Sequence, residues 1–173
     1  MSFTEFEKSI SSNSLRDLAG HWNDARGNRT MPAWSDLKPR QIVKTLPIIW
    51  AYTYDVKSDT FTGRLAGDRI VEAFGKNFRG LPLAAIQPPE AFPWVHRQLR
   101  RVLLEPAAYL GTGRVFQQCD RYGRGERIIL PLGGAHGAGV IGATDYRPSS
   151  FIPGISAGPV GESETWFSLA TFR

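Results

Sequence analysis

Arginine is the residue through which this chain most plainly offers chemistry. Arg26 and Arg29 flank a glycine loop, and Arg64, Arg69 and Arg79 surround a predicted strand and the short helices that follow it. Guanidinium groups hold carboxylates and phosphates through paired N–H donors, so this set could grip an anionic or nucleotide-like ligand at a cavity mouth. A structural role is the expected one, with Arg64 pairing with Asp68 or Asp36 to tether the N-terminal loop to the sheet. The histidines His21, His96 and His136 fall in three different predicted elements, and Cys119 is the sole cysteine. Cysteine zinc sites and intramolecular disulfides are therefore excluded, and no histidine metal site is expected. Asp68 and Asp145 are the only suggestive acids, and no nucleophile sits beside a base. An enzyme would need convergent groups such as Asp68 with His96. The run Gly133-Gly134-Ala135-His136-Gly137-Ala138-Gly139 has the glycine density of a phosphate loop. It lacks the lysine and the strand–loop–helix setting, so it reads as a hairpin turn.

The elements that must position these residues centre on 109–146. Three β-forming runs, 109–119, 126–132 and 138–146, are separated by the polar turn 120–125 and by the glycine run. Spacing this short leaves no room for crossover helices, so the three form an antiparallel meander. Upstream, 48–56 alternates with period two: Trp50, Tyr52 and Tyr54 share one face, and Ile49, Ala51 and Thr53 the other. A hairpin at Lys57-Ser58-Asp59 leads to a partner strand over 60–67, with Phe61, Gly63 and Leu65 on one side.

Helical signals fill the gaps. Thr4-Glu5-Phe6-Glu7 has the form of a capping box. Leu15, Leu18 and Trp22 make one stripe of a helix over 15–25, which the serines of 9–14 separate from the first turns. The first dozen residues are expected to be loose or to pack on a partner. Pro39 would open a short helix whose buried side is Ile42, Val43 and Leu46. Residues 68–75 form another that glycine ends, and 81–86 one more turn. The longest helix covers 90–104, with Phe92, Val95, Leu99, Val102 and Leu103 as its apolar stripe. The expected fold class is α+β: a five-stranded antiparallel sheet with helices on one face and an N-terminal helix. It divides into an N-terminal helical cap and loop (1–35), a core (36–146) and a Pro/Gly-rich tail (147–173). The tail ends in Trp166, Phe167, Leu169 and Phe172, which could dock as a short strand or helix.

Composition narrows the classes. An apolar fraction of 42% excludes a disordered chain, and 173 residues suffice for one well-buried core. No run approaches a membrane span, and the first residues lack an apolar signal core, so a cytoplasmic protein with no membrane contact is expected. The formal charge of +5 permits attraction to nucleic acid or anionic lipid. Arg97, Arg100, Arg101, Arg121, Arg124 and Arg127 could form a basic surface, although an ordinary solvated face explains them better. The meander shows no exposed aromatics of the kind an RNA-binding sheet needs. Trp22, Met31, Trp34 and Trp50 could form an aromatic patch for packing, for a ligand or for a dimer interface.

The order of elements resembles a PAS domain, and the motifs resemble a PAS-like family of small, often single-domain alphaproteobacterial proteins. The likeness rests on Trp22-Asn23-Asp24-Ala25-Arg26-Gly27, Met31-Pro32-Ala33-Trp34-Ser35-Asp36-Leu37-Lys38-Pro39 and Leu46-Pro47. It continues in Phe61-Thr62-Gly63-Arg64-Leu65-Ala66-Gly67-Asp68-Arg69-Ile70, Gly75-Lys76-Asn77-Phe78-Arg79-Gly80, Pro131-Leu132 and Ile141-Gly142. The resemblance implies a small-molecule or cofactor cavity between sheet and helices, a shift passed to a partner, and dimerisation through an N-terminal helix. It transfers no catalytic residue. Neither His96 nor Cys119 sits in a haem-binding or photoreactive flavin motif, so the cofactor stays unknown.

A noncatalytic sensory or regulatory domain is therefore expected. Its ligand would lie against Trp50, Tyr52, Leu65, Ile70, Phe74, Phe78, Leu99, Val115, Ile129 and Ile141, and Arg64 and His96 are expected in the same binding set. Occupancy would shift the strands and pass to the N-terminal helix or the aromatic tail. With no output segment on the chain, the signal would leave through a separate signalling protein. The alternatives are a structural adaptor whose cavity its own side chains fill, a small enzyme, or a nucleotide- or nucleic-acid-binding protein. Cavity volume separates the ligand-binding sensory domain from the adaptor.

Overall fold

The computed structural model describes residues 2–118, 121–134, 137–149 and 162–172; Cys119 and His136 fall outside them. Two helices open the chain, α1 (Phe3–Ser9) and α2 (Asn13–Arg26). The capping box of α1 joins Ser2 with Glu5, two residues earlier than Thr4 with Glu7. Ser12 caps α2, and the serines between the helices turn the chain as expected. Residues 39–48 make only two 3-10 turns, Pro39–Gln41 and Leu46–Ile48. No amphipathic helix forms there: Ile42 is buried, whereas Val43 and Leu46 are exposed.

Strands β1 (Ile49–Asp55) and β2 (Thr60–Ala66) follow, then α3 (Asp68–Phe74), α4 (Leu83–Ile86) and α5 (Phe92–Leu104). Gly75 ends α3 in the left-handed conformation, where a side chain would be strained. The meander is β3 (Ala107–Gln118), β4 (Arg121–Leu132) and β5 (Ala138–Ser149). Strand β4 begins at Arg121, so the polar glycine segment is strand and not turn. Gly125 permits the pairing there, because a Cβ on it would meet the Asp145 carbonyl oxygen at 2.0 Å.

The sheet has six strands, not five, in the order β2-β1-β5-β4-β3-β6, with each neighbouring pair antiparallel. The sixth, β6 (Glu162–Ser168), comes from the aromatic tail and pairs along β3 from Ala107↔Ser168 to Gly113↔Glu162. Trp166 secures it, 4.9 Å from the Tyr109 ring and with the Arg101 guanidinium 4.1 Å from its own. Tail patterning was too brief to identify a strand, since only Thr165, Trp166 and Phe167 carry β propensity.

Helices also cover both faces rather than one. On the first face α1 and α2 bury Phe6, Leu15, Leu18 and Trp22 against Ile49, Ala51, Leu110, Ile128, Leu130 and Ile141. Phe167 and Phe172 of the tail complete that layer, 5.1 and 5.8 Å from Phe6. The Trp22 indole donates to the Pro131 carbonyl at 2.9 Å. On the second face α3, α4 and α5 cover Trp50, Tyr52, Tyr54, Tyr109, Ile129 and Val140. The apolar residues of α1 and the apolar stripe of α2 thus pack within the chain, while most polar residues of both helices stay exposed. No helix among the described residues is long and apolar enough to cross a membrane.

Candidate functional site

The second face carries the cavity that the sequence places between sheet and helices. Period-two alternation sends Trp50 and Tyr52 of β1, Val115 of β3 and Ile129 of β4 toward the helices. Ile70 and Phe74 of α3, Phe78 of the following loop and Leu99 of α5 close over them. Trp50 lies flat because β5 has glycine opposite: a Cβ on Gly142 would stand 2.3 Å from the indole. The indole N–H then donates to Thr144 Oγ1 at 2.9 Å. Tyr52 stacks on Phe78 at 5.7 Å, and Phe74 meets Phe78 edge-on at 5.1 Å. Burial pushes the Tyr52 hydroxyl above its ordinary range, so the phenol stays neutral.

These side chains fill the space themselves. The cavity they leave is about 20 Å³, enough for one water but far below the several hundred Å³ of a typical ligand pocket. Gln87, Val95, Arg127 and Thr144 also line it, and sequence reading did not place them there. The signal for Arg127 was present, since it stands two residues before Ile129 and so shares its face. Gly111 and Thr144 are its register partners, small enough to admit a long side chain.

Four predicted residues lie elsewhere. Ile141 pairs with Leu130 and Ala51 and faces α1 and α2. Leu65 does likewise because β2 carries a bulge: Tyr52 pairs with Gly63 and Ala51 with Leu65, leaving Arg64 as the extra residue. One inserted residue flips all that follows to the opposite face. Arg64 borders a separate cavity of about 200 Å³ on the first face, with Trp34, Thr53, Leu132 and Gly139. Its guanidinium lies 4.1 Å from the Trp34 ring centre, and Asp36 pairs with Arg29 at 2.8 Å instead.

His96 faces the β1–β2 hairpin. Its Nε2 is 2.9 Å from the Asp59 carbonyl and 3.6 Å from the Asp59 carboxylate, so it is not paired with Asp68. Asp59, the one described non-glycine residue with positive φ (51°), is held by the Tyr54 hydroxyl at 2.6 Å and Arg100 at 3.2 Å. The Tyr54 hydrogen bond, with His96 and Arg100 nearby, holds the Asp59 carboxyl below its usual range. A depressed carboxyl stabilises the fold above the unfolded value near pH 4 and loses that contribution as pH falls through the folded value. The urea midpoint should therefore drop more steeply between pH 5 and pH 3 (about that window) in the wild type than in Asp59→Asn, which keeps the turn. Identical acid limbs would remove this role.

The arginines do not converge on one ligand. Arg26 hydrogen-bonds Asn23 Oδ1 and the carbonyls of Arg29 and Phe172, and Arg69 donates to the Tyr146 carbonyl at 2.6 Å. Nor do the aromatics form one patch: Trp22, Met31 and Trp34 pack on the first face, Trp50 on the second. His21 Nε2 accepts the Lys38 backbone N–H at 2.9 Å, and burial lowers its pKa, so it serves the loop as a neutral acceptor. No group of three potential metal ligands occurs among the described residues.

A family model described as a PAS domain matches residues 10–143. No curated protein and no solved structure matches the chain.

Proposed function

The chain belongs to the PAS-domain family, whose general role is sensory or regulatory and typically noncatalytic, and from that premise we propose a regulatory domain whose output is a protein contact. The observation that carries this is the closed interior. Trp50, Tyr52, Phe74, Phe78 and Leu99 occupy the space where a resident ligand would lie, leaving about 20 Å³. A domain in that state acts through its surface, as an adaptor does, rather than through a resident cofactor. Self-association through α2 would have to use its polar side, since Leu15, Leu18 and Trp22 are fully buried within the chain. The motifs from Trp22 to Gly80 support membership in the small alphaproteobacterial branch.

Small-molecule sensing in the core is the second reading, and the buried polar lining favours it. Arg127, Gln87 and Thr144 face an otherwise apolar cavity. A charged side chain there suits a small amphipathic anion admitted when Phe74 and Phe78 move apart.

Native mass spectrometry of the protein purified from its own cells tests both. The expected spectrum shows the chain with a second protein and no small-molecule increment. A chain carrying a reproducible increment of a few hundred daltons (roughly the mass such a pocket holds) would replace the first reading by the second. The chain alone, with neither, would end the protein-contact proposal.

A further inference from the structure

The first face of the sheet is not wholly covered. Beyond the α1–α2 junction, three arginines stand in register on adjacent strands: Arg114 of β3 pairs with Arg124 of β4, and Arg124 with Arg147 of β5. Directly opposed residues share a face, and like charges so placed repel one another. The neighbouring row, two residues along each strand, holds Glu126 and Asp145, which would be the natural counterions. Both are already engaged. Glu126 accepts the Ser11 and Ser12 backbone N–H groups at 2.8–3.0 Å, and Asp145 accepts the Ser12 hydroxyl at 2.7 Å. Asp145 also lies 3.7 Å from Arg69. Arg124 and Arg147 are exposed and have no hydrogen bond or ion pair among the described residues. They border an open cleft of about 420 Å³ with Ser11, Ser12 and Thr112.

We propose that this arginine row and its cleft dock an extended acidic segment of a partner protein. The proposal rests on the protein-contact reading above and names the surface it would use. Three strands span about 10 Å, and carboxylates two residues apart in an extended segment lie about 7 Å apart. Two such carboxylates therefore reach the row together, each meeting a planar guanidinium fork. The engaged carboxylates of Glu126 and Asp145 bound the row on one flank. They tolerate a short acidic run but oppose a continuous phosphate backbone, which distinguishes an acidic peptide from nucleic acid.

The test uses the full chain and a fluorescein-labelled peptide with glutamates at alternate positions, followed by anisotropy at low and moderate salt. Arg124→Ala/Arg147→Ala should weaken binding by about tenfold or more. Arg79→Ala/Arg97→Ala, which removes two exposed arginines from the other side of the sheet, should stay within about twofold. Equal losses in both double variants would show unspecific charge attraction and overturn the proposal, as would no binding by the wild type. A single-stranded DNA of equal charge that binds more tightly than the peptide, and loses that binding in Arg124→Ala/Arg147→Ala, would reassign the face to nucleic acid. Either failure leaves a second protein in the native spectrum unexplained but intact, so the two proposals fall separately.

Discussion

Phe6→Ala is expected to lower the unfolding free energy by about 3–5 kcal/mol, the range for truncating a buried aromatic. Phe6 is fully buried and stands between the tail aromatics, 5.1 Å from Phe167 and 5.8 Å from Phe172. Its removal empties a site that neither neighbour can refill. Phe167 is held by the pairing of β6 with β3, and Phe172 follows a 3-10 turn anchored by the Leu169 N–H on the Pro106 carbonyl. The adjacent Lys8 is exposed, and Lys8→Ala should change stability by less than about 0.5 kcal/mol. Urea denaturation with an unchanged slope would read the difference as a shift in midpoint. A helix that merely hung from the domain would leave the Phe6→Ala midpoint where the wild type has it, and that result would remove α1 from the core.

The two ends of the chain close over one face of the sheet together, which explains why sequence patterning saw the centre better than the margins. Trp50, Tyr52 and Tyr54 alternate within one strand, and Val95, Leu99 and Val102 repeat along one helix, so each run carries its own period. The order of the meander was legible too, but its first turn was not: 121–125 carry the glycines of a turn and yet pair with β3 as strand. Phe6, Phe167 and Phe172 belong to segments too short to show a period, and their burial is decided by one another across more than 150 residues (roughly the whole length of a typical domain). The site was legible to the extent that alternation held. Trp50, Tyr52, Ile70, Phe74, Phe78, Leu99, Val115 and Ile129 line one cavity as alternation and helical stripes require. Leu65 was misplaced by a bulge that no residue type announces. Ile141 was misplaced although its strand alternates, because nothing in one strand fixes its face relative to the next. What no period can convey is volume, and the near absence of free space emerges only when Phe74 and Phe78 are seen against Tyr52.

That closed interior rests on one glycine. Gly63 precedes the bulge in β2; its N–H donates to the Leu81 carbonyl and its carbonyl accepts the Gly80 N–H, both at 2.8 Å. The loop carrying Phe78 is thereby pressed onto the strand, so close that a Cβ on Gly63 would stand 2.0 Å from the Phe78 carbonyl oxygen and 2.7 Å from its carbon. Those atoms are backbone and cannot swing aside as a side-chain tip would. Gly63→Ala should therefore push the loop away, break both hydrogen bonds and withdraw Phe78 from Tyr52, at about 3 kcal/mol or more. Gly80→Ala supplies the contrast. Gly80 has φ of 78° but no atom within 4 Å of an added Cβ. Only the left-handed backbone is strained there, for about 1–2 kcal/mol. Urea midpoints rank the two variants, and the emission of Trp50, which packs 5.6 Å from Tyr52, should change in Gly63→Ala alone. If Gly63→Ala is no less stable than Gly80→Ala, the loop yields freely and the interior is not closed by that contact. A core able to open so cheaply would fit the ligand-sensing reading better than the one proposed.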